Sequence, residues 1–269
     1  MDTNINGSVA QKPASGGAPL VTILVATYNR ANYITQAIES ARTQTFTDWE
    51  LIVLDDASTD NTESIVANIA STDPRIVCVR HAQNKGIAGN RNAGLALARG
   101  TFVAVLDSDD AWTDATKLER QITYLSEHPD CVAIGTQISV IDENGTETGS
   151  LSYETTDQGI RSHLLGRNQF AQSSIVYRLS AVRAVGGYDG SIVVNDDYDL
   201  WLRLGSQGTF ANLPDRMTAY REHSGGITKT KRLVSAKEHL SIIKKHGRQY
   251  SNYLPALLKS YLRILKAFF

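Results

Sequence analysis

The first half of this chain repeats one alternation, and few folds accommodate it. Short apolar runs recur, each followed by a segment with helical spacing. Val21–Ala26 (VTILVA) is a continuous apolar run, the mark of a strand covered on both faces. Ile34, Ala37, Ile38 and Ala41 then fall at i, i+3, i+4 and i+7. Leu51–Leu54 reads as a second buried strand. Asp60, with Glu63 at the capping-box position, opens a helix through Ala70. Ile76–Val79 is a third strand, followed by a loop bearing Gly86 and Gly89 and a helix to about Ala98. Thr101–Leu106 is a fourth, and Leu118, Ile122 and Leu125 mark a further helix. Four such units predict βαβ crossovers and an α/β fold on a mainly parallel, Rossmann-like sheet.

The second half is less regular. Cys131–Ile141 reads as strand with a turn at Asn144-Gly145, and residues 151–180 carry no clear period. Gly186-Gly187 is a turn, a helix starts near Asp197, and the chain from Leu233 onward is helical. With 269 residues, 42% of them hydrophobic and 20% charged, the chain has ample core for one large domain and is not a disordered polymer. Two cysteines, Cys78 and Cys131, exclude a disulfide scaffold and a Cys-based zinc cluster, and read as inert core thiols. No apolar run approaches the ~20 residues of a spanning helix. Met1–Ala18 has no apolar signal core and reads as a flexible tail, which makes a reduced, cytoplasmic address the expectation.

In an open parallel sheet, ligands gather at the carboxyl ends of the strands. Here those ends carry Thr27-Tyr28-Asn29-Arg30, then Asp55-Asp56, then Asp107-Ser108-Asp109-Asp110. Three carboxylates in four residues repel one another unless a cation or hydrogen-bond donors compensate. Oxygen ligands of this kind suit Mg2+ or Mn2+ bound together with substrate phosphates, although one of these acids could instead cap the next helix. Lys85 and Arg91 flank a glycine-bearing loop that could meet an anion or be plain surface. Asp196, Asp197, Asp199 and Trp201 lie at a helix start, where acids suit the helix dipole; one could also act as a general base. His223 sits in a loop after a strand signal.

Taken together, Val21–Arg30, Trp49–Asp60, Asn84–Gly94, Val105–Asp110 and Asp196–Leu204 resemble glycosyltransferase family 2 in order and spacing, over residues 19–226. The resemblance implies a GT-A fold and inverting transfer of a sugar from a nucleotide donor with a divalent metal. It implies a nucleotide-binding half over 19–110 and an acceptor-binding half over 111–228. Residue by residue, it implies that Ala26, Thr27, Tyr28 and Arg30 line the nucleotide pocket, with Lys85 and Arg91 bordering it. Asp56 would accept a hydrogen bond from uracil or thymine, which favours a UDP-sugar. Asp107, Ser108 and Asp109 form the DxD motif, Asp107 near the ribose and Asp109 on the metal, with His223 completing the metal shell. Asp197 aligns with the catalytic base; Asp110, Asp196 and Trp201 are further candidates. The family commonly has Glu-Asp where this chain has Asp196-Asp197.

The same residues speak against two other function classes. A sugar nucleotidyltransferase would show an early Gly-rich loop, and Thr27–Arg30 has no glycine. A non-catalytic nucleotide- or carbohydrate-binding relative would lose the DxD motif or the base, and both are present. A hydroxyl of a glycan or lipid-linked saccharide is the expected acceptor, as in assembly of bacterial surface polysaccharide; nothing points to nucleic acid.

The formal net charge of −1 hides a split. From Arg216 onward there are 12 Lys/Arg against 2 Asp/Glu; before it, 15 against 26. Arg221, Lys229, Lys231 and Arg232 suggest a mobile loop closing over the diphosphate. Leu254, Leu257, Leu258, Tyr261, Leu262 and Leu265 form a helical stripe over the basic region 229–269, with Lys259, Arg263 and Lys266 off it and Lys244, Lys245 and Arg248 nearby. That pattern fits either an interfacial helix on the cytoplasmic membrane face or a helix packed on the body or on a second subunit.

Overall fold

The computed structural model describes residues 17–250 and 252–267, without the side chains of 228 and 229. Of the tail expected over 1–18, all but the last two positions lie outside the described residues. The first half follows the alternation: β1 (Val21–Thr27), α1 (Ile34–Arg42), β2 (Trp49–Asp55), α2 (Thr62–Ala70), β3 (Ile76–Arg80), α3 (Gly86–Leu97) and β4 (Phe102–Val105). Then come β5 (Ala111–Trp112), α4 (Lys117–Glu127), β6 (Cys131–Ile141), β7 (Glu147–Leu151), α5 (Asp157–Leu164), a 3-10 turn at Gln172–Ser174 and β8 (Val176–Arg178). The chain ends with α6 (Leu179–Ala184), α7 (Asp196–Leu204), β9 (Thr209–Arg221), α8 (Ile227–Thr230), α9 (Arg232–His246), a 3-10 turn at Gly247–Gln249 and α10 (Tyr253–Lys266).

One sheet runs through the molecule in the order β3-β2-β1-β4-β8-β6-β9-β5, with β7 on β6. The first four strands are parallel, as their continuous apolar runs predict. Beyond β4 the sheet is mixed: β8 is antiparallel to both β4 and β6, β9 runs parallel to β6, and β5 is antiparallel to β9. The chain leaves β1 toward β2 on one side and returns to β4 on the other. This strand-order reversal opens a crevice at the carboxyl ends of β1 and β4.

Helices cover both faces. Ile34, Ala37 and Ile38 of α1, Val66 of α2 and Leu118 and Ile122 of α4 pack on one face with Ile23, Val25, Leu51 and Val53. The other face takes α3, α5, α6 and α7, together with Ile242 and Ile243 of α9 and Ala256 of α10. The C-terminal helices are therefore part of the core on that face. Helix α3 lies tight on the sheet because Gly94 faces it: a Cβ there would come within 2.5 Å of Leu54 Cδ1. The capping box expected at Asp60 takes another form. The Asp60 carboxylate accepts from the Thr62 N–H at 3.0 Å, while Glu63 pairs with Arg80 on β3.

Candidate functional site

The crevice between β1 and β4 gathers the polar residues that follow the strands. Thr27 is buried at the end of β1, and its carbonyl accepts from Asp56 N–H at 2.9 Å. Ala26 is half-buried and Tyr28 is exposed at the rim. The Asp56 carboxylate is buried and faces the start of α3, accepting from Lys85 N–H at 2.7 Å and Gly86 N–H at 3.0 Å. A helix N-terminus favours this charge, and Gly86 (φ 73°) supplies the left-handed turn that points both amides at it. Asn29 and Ala57 also have positive φ, 53° and 64°. Ala57 has no side-chain polar group to relieve the strain, which places a locally costly backbone beside the crevice. The Lys85 side chain is exposed at this border.

The acidic run after β4 divides its work. Asp107, its amide N–H bonded to Ser173 Oγ at 3.0 Å, presents a half-exposed carboxylate to Arg91 at 2.8 Å. Ser108 is buried. Asp109 Oδ2 meets both Arg30 Nε and His223 Nε2 at 3.0 Å, while Oδ1 accepts from no donor among the described residues. Burial works against ionisation of Asp109, but the His223 hydrogen bond and the Arg30 charge outweigh it and hold its pKa below the ordinary value. Asp110 points the other way. Both its oxygens are taken, one by Ser173 Oγ and one by Arg221 N–H at 2.8 Å. Burial, then the charges of Asp109 and Asp107, push its pKa well up. Its place is to tie β4 to the end of β9, which delivers His223 to Asp109. Among the described residues no three His, Cys, Asp or Glu side chains converge as a metal site. Asp109 and His223 converge as a pair, a carboxylate and an imidazole, which fits a hard divalent cation that completes its shell with ligand oxygens.

Arg91 links this end to the second half of the chain. From its buried place on α3 it reaches Asp107 at 2.8 Å and both oxygens of Asp196 at 2.8 Å. Asp196 starts α7, and the next residue, Asp197, is partly open to the crevice and accepts from Asn168 Nδ2 at 3.0 Å. Burial, followed by the neighbouring charge of Asp196, raises the Asp197 pKa to about 7. Helix α9 holds the segment leading into α7: Glu238 accepts from the N–H groups of Val193, Val194 and Asn195 at 2.6, 3.0 and 3.2 Å. Asp199, one turn on, is fully buried against Arg203, Lys245 and His246 at 2.7, 3.1 and 2.8 Å.

The structure thus brings Thr27, Arg30, Asp56, Arg91, Asp107, Asp109, Asp197 and His223 around one crevice. Four expectations change, Asp110 among them, since both its oxygens are taken within the protein. Trp201 is 0% exposed in the core against Phe170 and Tyr177, because its α7 position faces the sheet, so it offers nothing to a ligand. Asp196 is consumed by Arg91. Arg221 is not on a mobile loop: it is buried, bonded to the Asp109 and Asp142 carbonyls at 2.8 and 2.9 Å, and stacked over Tyr33. Lys229 lies outside the described side chains. Nothing in the sequence pattern singles out Asn168 and Ser173; their only signal is the aperiodic polar run Asn168–Ser174 (NQFAQSS), which is too polar for a core segment unless each group has a partner. Cys78 and Cys131 are unpaired, their thiols pushed by burial to about 12 and about 11, consistent with inert core thiols.

Comparison with known proteins bears on this geometry. The family model for glycosyl transferase family 2 matches residues 22–184. The chain is 34% identical over 236 residues to the Escherichia coli UDP-Glc:alpha-D-GlcNAc-diphosphoundecaprenol beta-1,3-glucosyltransferase WfaP, covering 85% of this chain and 89% of the relative. It is 34% identical over 152 residues to a putative teichuronic acid biosynthesis glycosyltransferase, TuaG, of Bacillus subtilis, covering 55% of this chain and 60% of that one. Among solved structures, S. aureus TarS in complex with UDP-GlcNAc superposes with a TM-score of 0.72 at 19% identity, covering 90% of this chain and 72% of that one. Mannosyltransferase PcManGT from Pyrobaculum calidifontis, in complex with GDP-Man and Mn2+, superposes with a TM-score of 0.70 at 20% identity, covering 98% and 76%. These two structures share the GT-A architecture described above.

Proposed function

Because this chain belongs to glycosyl transferase family 2 and is a transferase with the GT-A fold, we propose that it moves a sugar from a UDP-sugar to a hydroxyl of a glycan or lipid-linked saccharide in polysaccharide assembly, with inversion at the anomeric carbon. The observation that carries this reading is the Arg91 bridge. One guanidinium holds Asp107 of the donor crevice and Asp196, the neighbour of Asp197, so donor site and base are set in one frame.

The uracil ring lies beside Asp56. Fixed by two backbone amides, that carboxylate keeps lone pairs for the imide N–H. Asp107 reaches the ribose, with Ala26, Thr27, Tyr28 and Arg30 along the nucleotide and Lys85 and Ser108 at its border. Asp109 and His223 are the residues that would hold Mn2+ or Mg2+, which would supply positive charge to neutralise the departing diphosphate. Arg30, already on Asp109, is placed to add positive charge there. Asp197 takes the proton of the acceptor hydroxyl as that oxygen attacks the anomeric carbon in line and the bond to the diphosphate breaks. A pKa near 7 suits that task at neutral pH, and Asn168 orients the carboxylate. A single displacement needs no enzyme nucleophile, and no Ser-His or Cys-His pair stands in the crevice among the described residues.

The support from relatives is that WfaP is named for UDP-Glc and a diphosphoundecaprenol acceptor, and TuaG for teichuronic acid biosynthesis. A panel of nucleotide sugars, assayed for acceptor-dependent nucleotide release with and without Mn2+, tests the proposal. Release from a UDP-sugar that requires the cation and drops by about a thousandfold in Asp109→Ala is expected. Equal release without metal, or a folded Asp109→Ala enzyme at full rate, contradicts it.

A further inference from the structure

Of the six residues expected to form the apolar stripe on the last helix, Leu257 packs against the core and the other five face away from the body. Helix α10 packs on α9 through Ala256 and Ser260, both buried, and Ser260 bonds His239 of α9 at 3.1 Å. The opposite side shows Leu254 at 72%, Leu258 at 65%, Tyr261 at 46%, Leu262 at 50% and Leu265 at 59% exposure. At 3.6 residues per turn these five fall within an arc of roughly 100°. They are half of the large hydrophobic residues that stand exposed among the described residues, collected on one helix. Isolated exposed apolar side chains need no explanation; a continuous row does.

From this we propose that α10 is an interfacial helix that lays its outward stripe on an anionic lipid surface. The charge around the stripe selects this occupant. Helix α10 carries no acidic residue, and Lys259 and Lys266 stand exposed along one border of the stripe. Lys244 of α9 stands at the other border, its Nζ 5.5 Å from the Tyr261 ring centroid, so lysines flank the stripe on both sides. A second copy pressed face to face on the stripe would crowd these lysines without an acid on either α10 to meet them; anionic headgroups supply the countercharge. The helix has 14 residues, and no described helix is long and apolar enough to cross a membrane, so it lies on the surface. Because α10 rests on α9, and Glu238 of α9 caps the entry to α7, the lipid plane is linked to the helix that carries Asp197. The stripe and its lysines are independent of the donor chemistry proposed above.

Flotation of the full-length chain with vesicles tests it. Vesicles of phosphatidylcholine and phosphatidylglycerol are expected to carry the protein at least about tenfold better than phosphatidylcholine alone. Leu258→Glu/Leu262→Glu should lower the bound fraction about tenfold or more, and Lys259→Glu/Lys266→Glu should abolish the preference for phosphatidylglycerol. Circular dichroism, melting temperature and UDP binding should stay unchanged in both variants, since none of the four side chains is buried. Wild-type protein that fails to float overturns the proposal, as does flotation indifferent to the leucine pair. So does a dimer, seen by light scattering, that the leucine variant splits while vesicles bind neither form. None of these results alters the expectation for nucleotide release, so the two readings fail separately.

Discussion

At the scale of single residues, Asp197 sets its proposed role as base against stability. Its folded pKa of about 7 exceeds the ~3.9 of an unfolded aspartate. Between those values the folded chain holds a proton that the unfolded chain releases, so this group favours folding most at low pH. That contribution is lost as pH rises through about 7. An asparagine cannot ionise and can still accept from Asn168. Asp197→Asn is therefore expected to match the wild type near pH 4 and to exceed it by about 1–2 kcal/mol at pH 8. That is less than the full shift implies, because the carboxyl is partly open to solvent. Urea denaturation at the two pH values checks this; a variant less stable at pH 8 contradicts it. Arg91 works in the opposite sense. Arg91→Met leaves the Asp196 carboxylate buried without its partner and is expected to cost about 3–5 kcal/mol, read as a fall in the urea midpoint. Asp196→Asn in the same chain should return part of that loss.

Among elements, α9 acts as a clamp on α7. Three N–H groups entering α7 converge on Glu238, and Asp199 is locked by Lys245 and His246 from the same helix. Glu238→Ala is expected to lower kcat roughly tenfold to a hundredfold through misplacement of Asp197, with UDP affinity changed less than about twofold. Calorimetry with UDP beside a rate measurement separates the two; equal loss in both places the clamp elsewhere. Elements differ in how well the chain announces them. β1 and β2 are legible because strands covered on both faces are uninterrupted apolar runs. β8 is three residues long, and α5, α6 and the 3-10 turn beside it are too short to show a period, so residues 151–180 stay opaque. β9 spans 13 residues, but its pairing with β6 shifts register around Thr136, which breaks the alternation a strand would display. The α10 stripe was visible, but its direction was not: periodicity shows that a face is apolar, and the chain path through Gly247–Gln249 decides where that face points.

At the scale of the whole molecule, the candidate site joins segments nearly two hundred residues apart at the reversal in strand order. Thr27–Arg30, Asp56 and Asp107–Asp109 could be placed there from the alternation alone, because a parallel sheet sends every loop after a strand to the same edge. Asp197 and His223 reach that edge through α7 and β9, elements outside the repeat; residue type offers a base somewhere among Asp196, Asp197 and Asp199, and only the family resemblance singles out Asp197 and His223. Asn168 and Ser173, whose neighbours in space are remote in sequence, were hidden. The acidic body and basic end of the opening charge count also acquire places: carboxylates around the crevice, and lysines beside the stripe of α10. In the proposed function these two halves form one transferase site with Asp197 as its base. The most direct test is the rate of sugar transfer from a UDP-sugar by wild type and Asp197→Asn, compared from pH 5 to pH 9. The wild-type kcat/KM is expected to fall about tenfold per unit below pH 7 and level above it, and the folded variant to be about a thousandfold slower and flat with pH. An Asp197→Asn enzyme that transfers at the wild-type rate with the wild-type pH profile would contradict it.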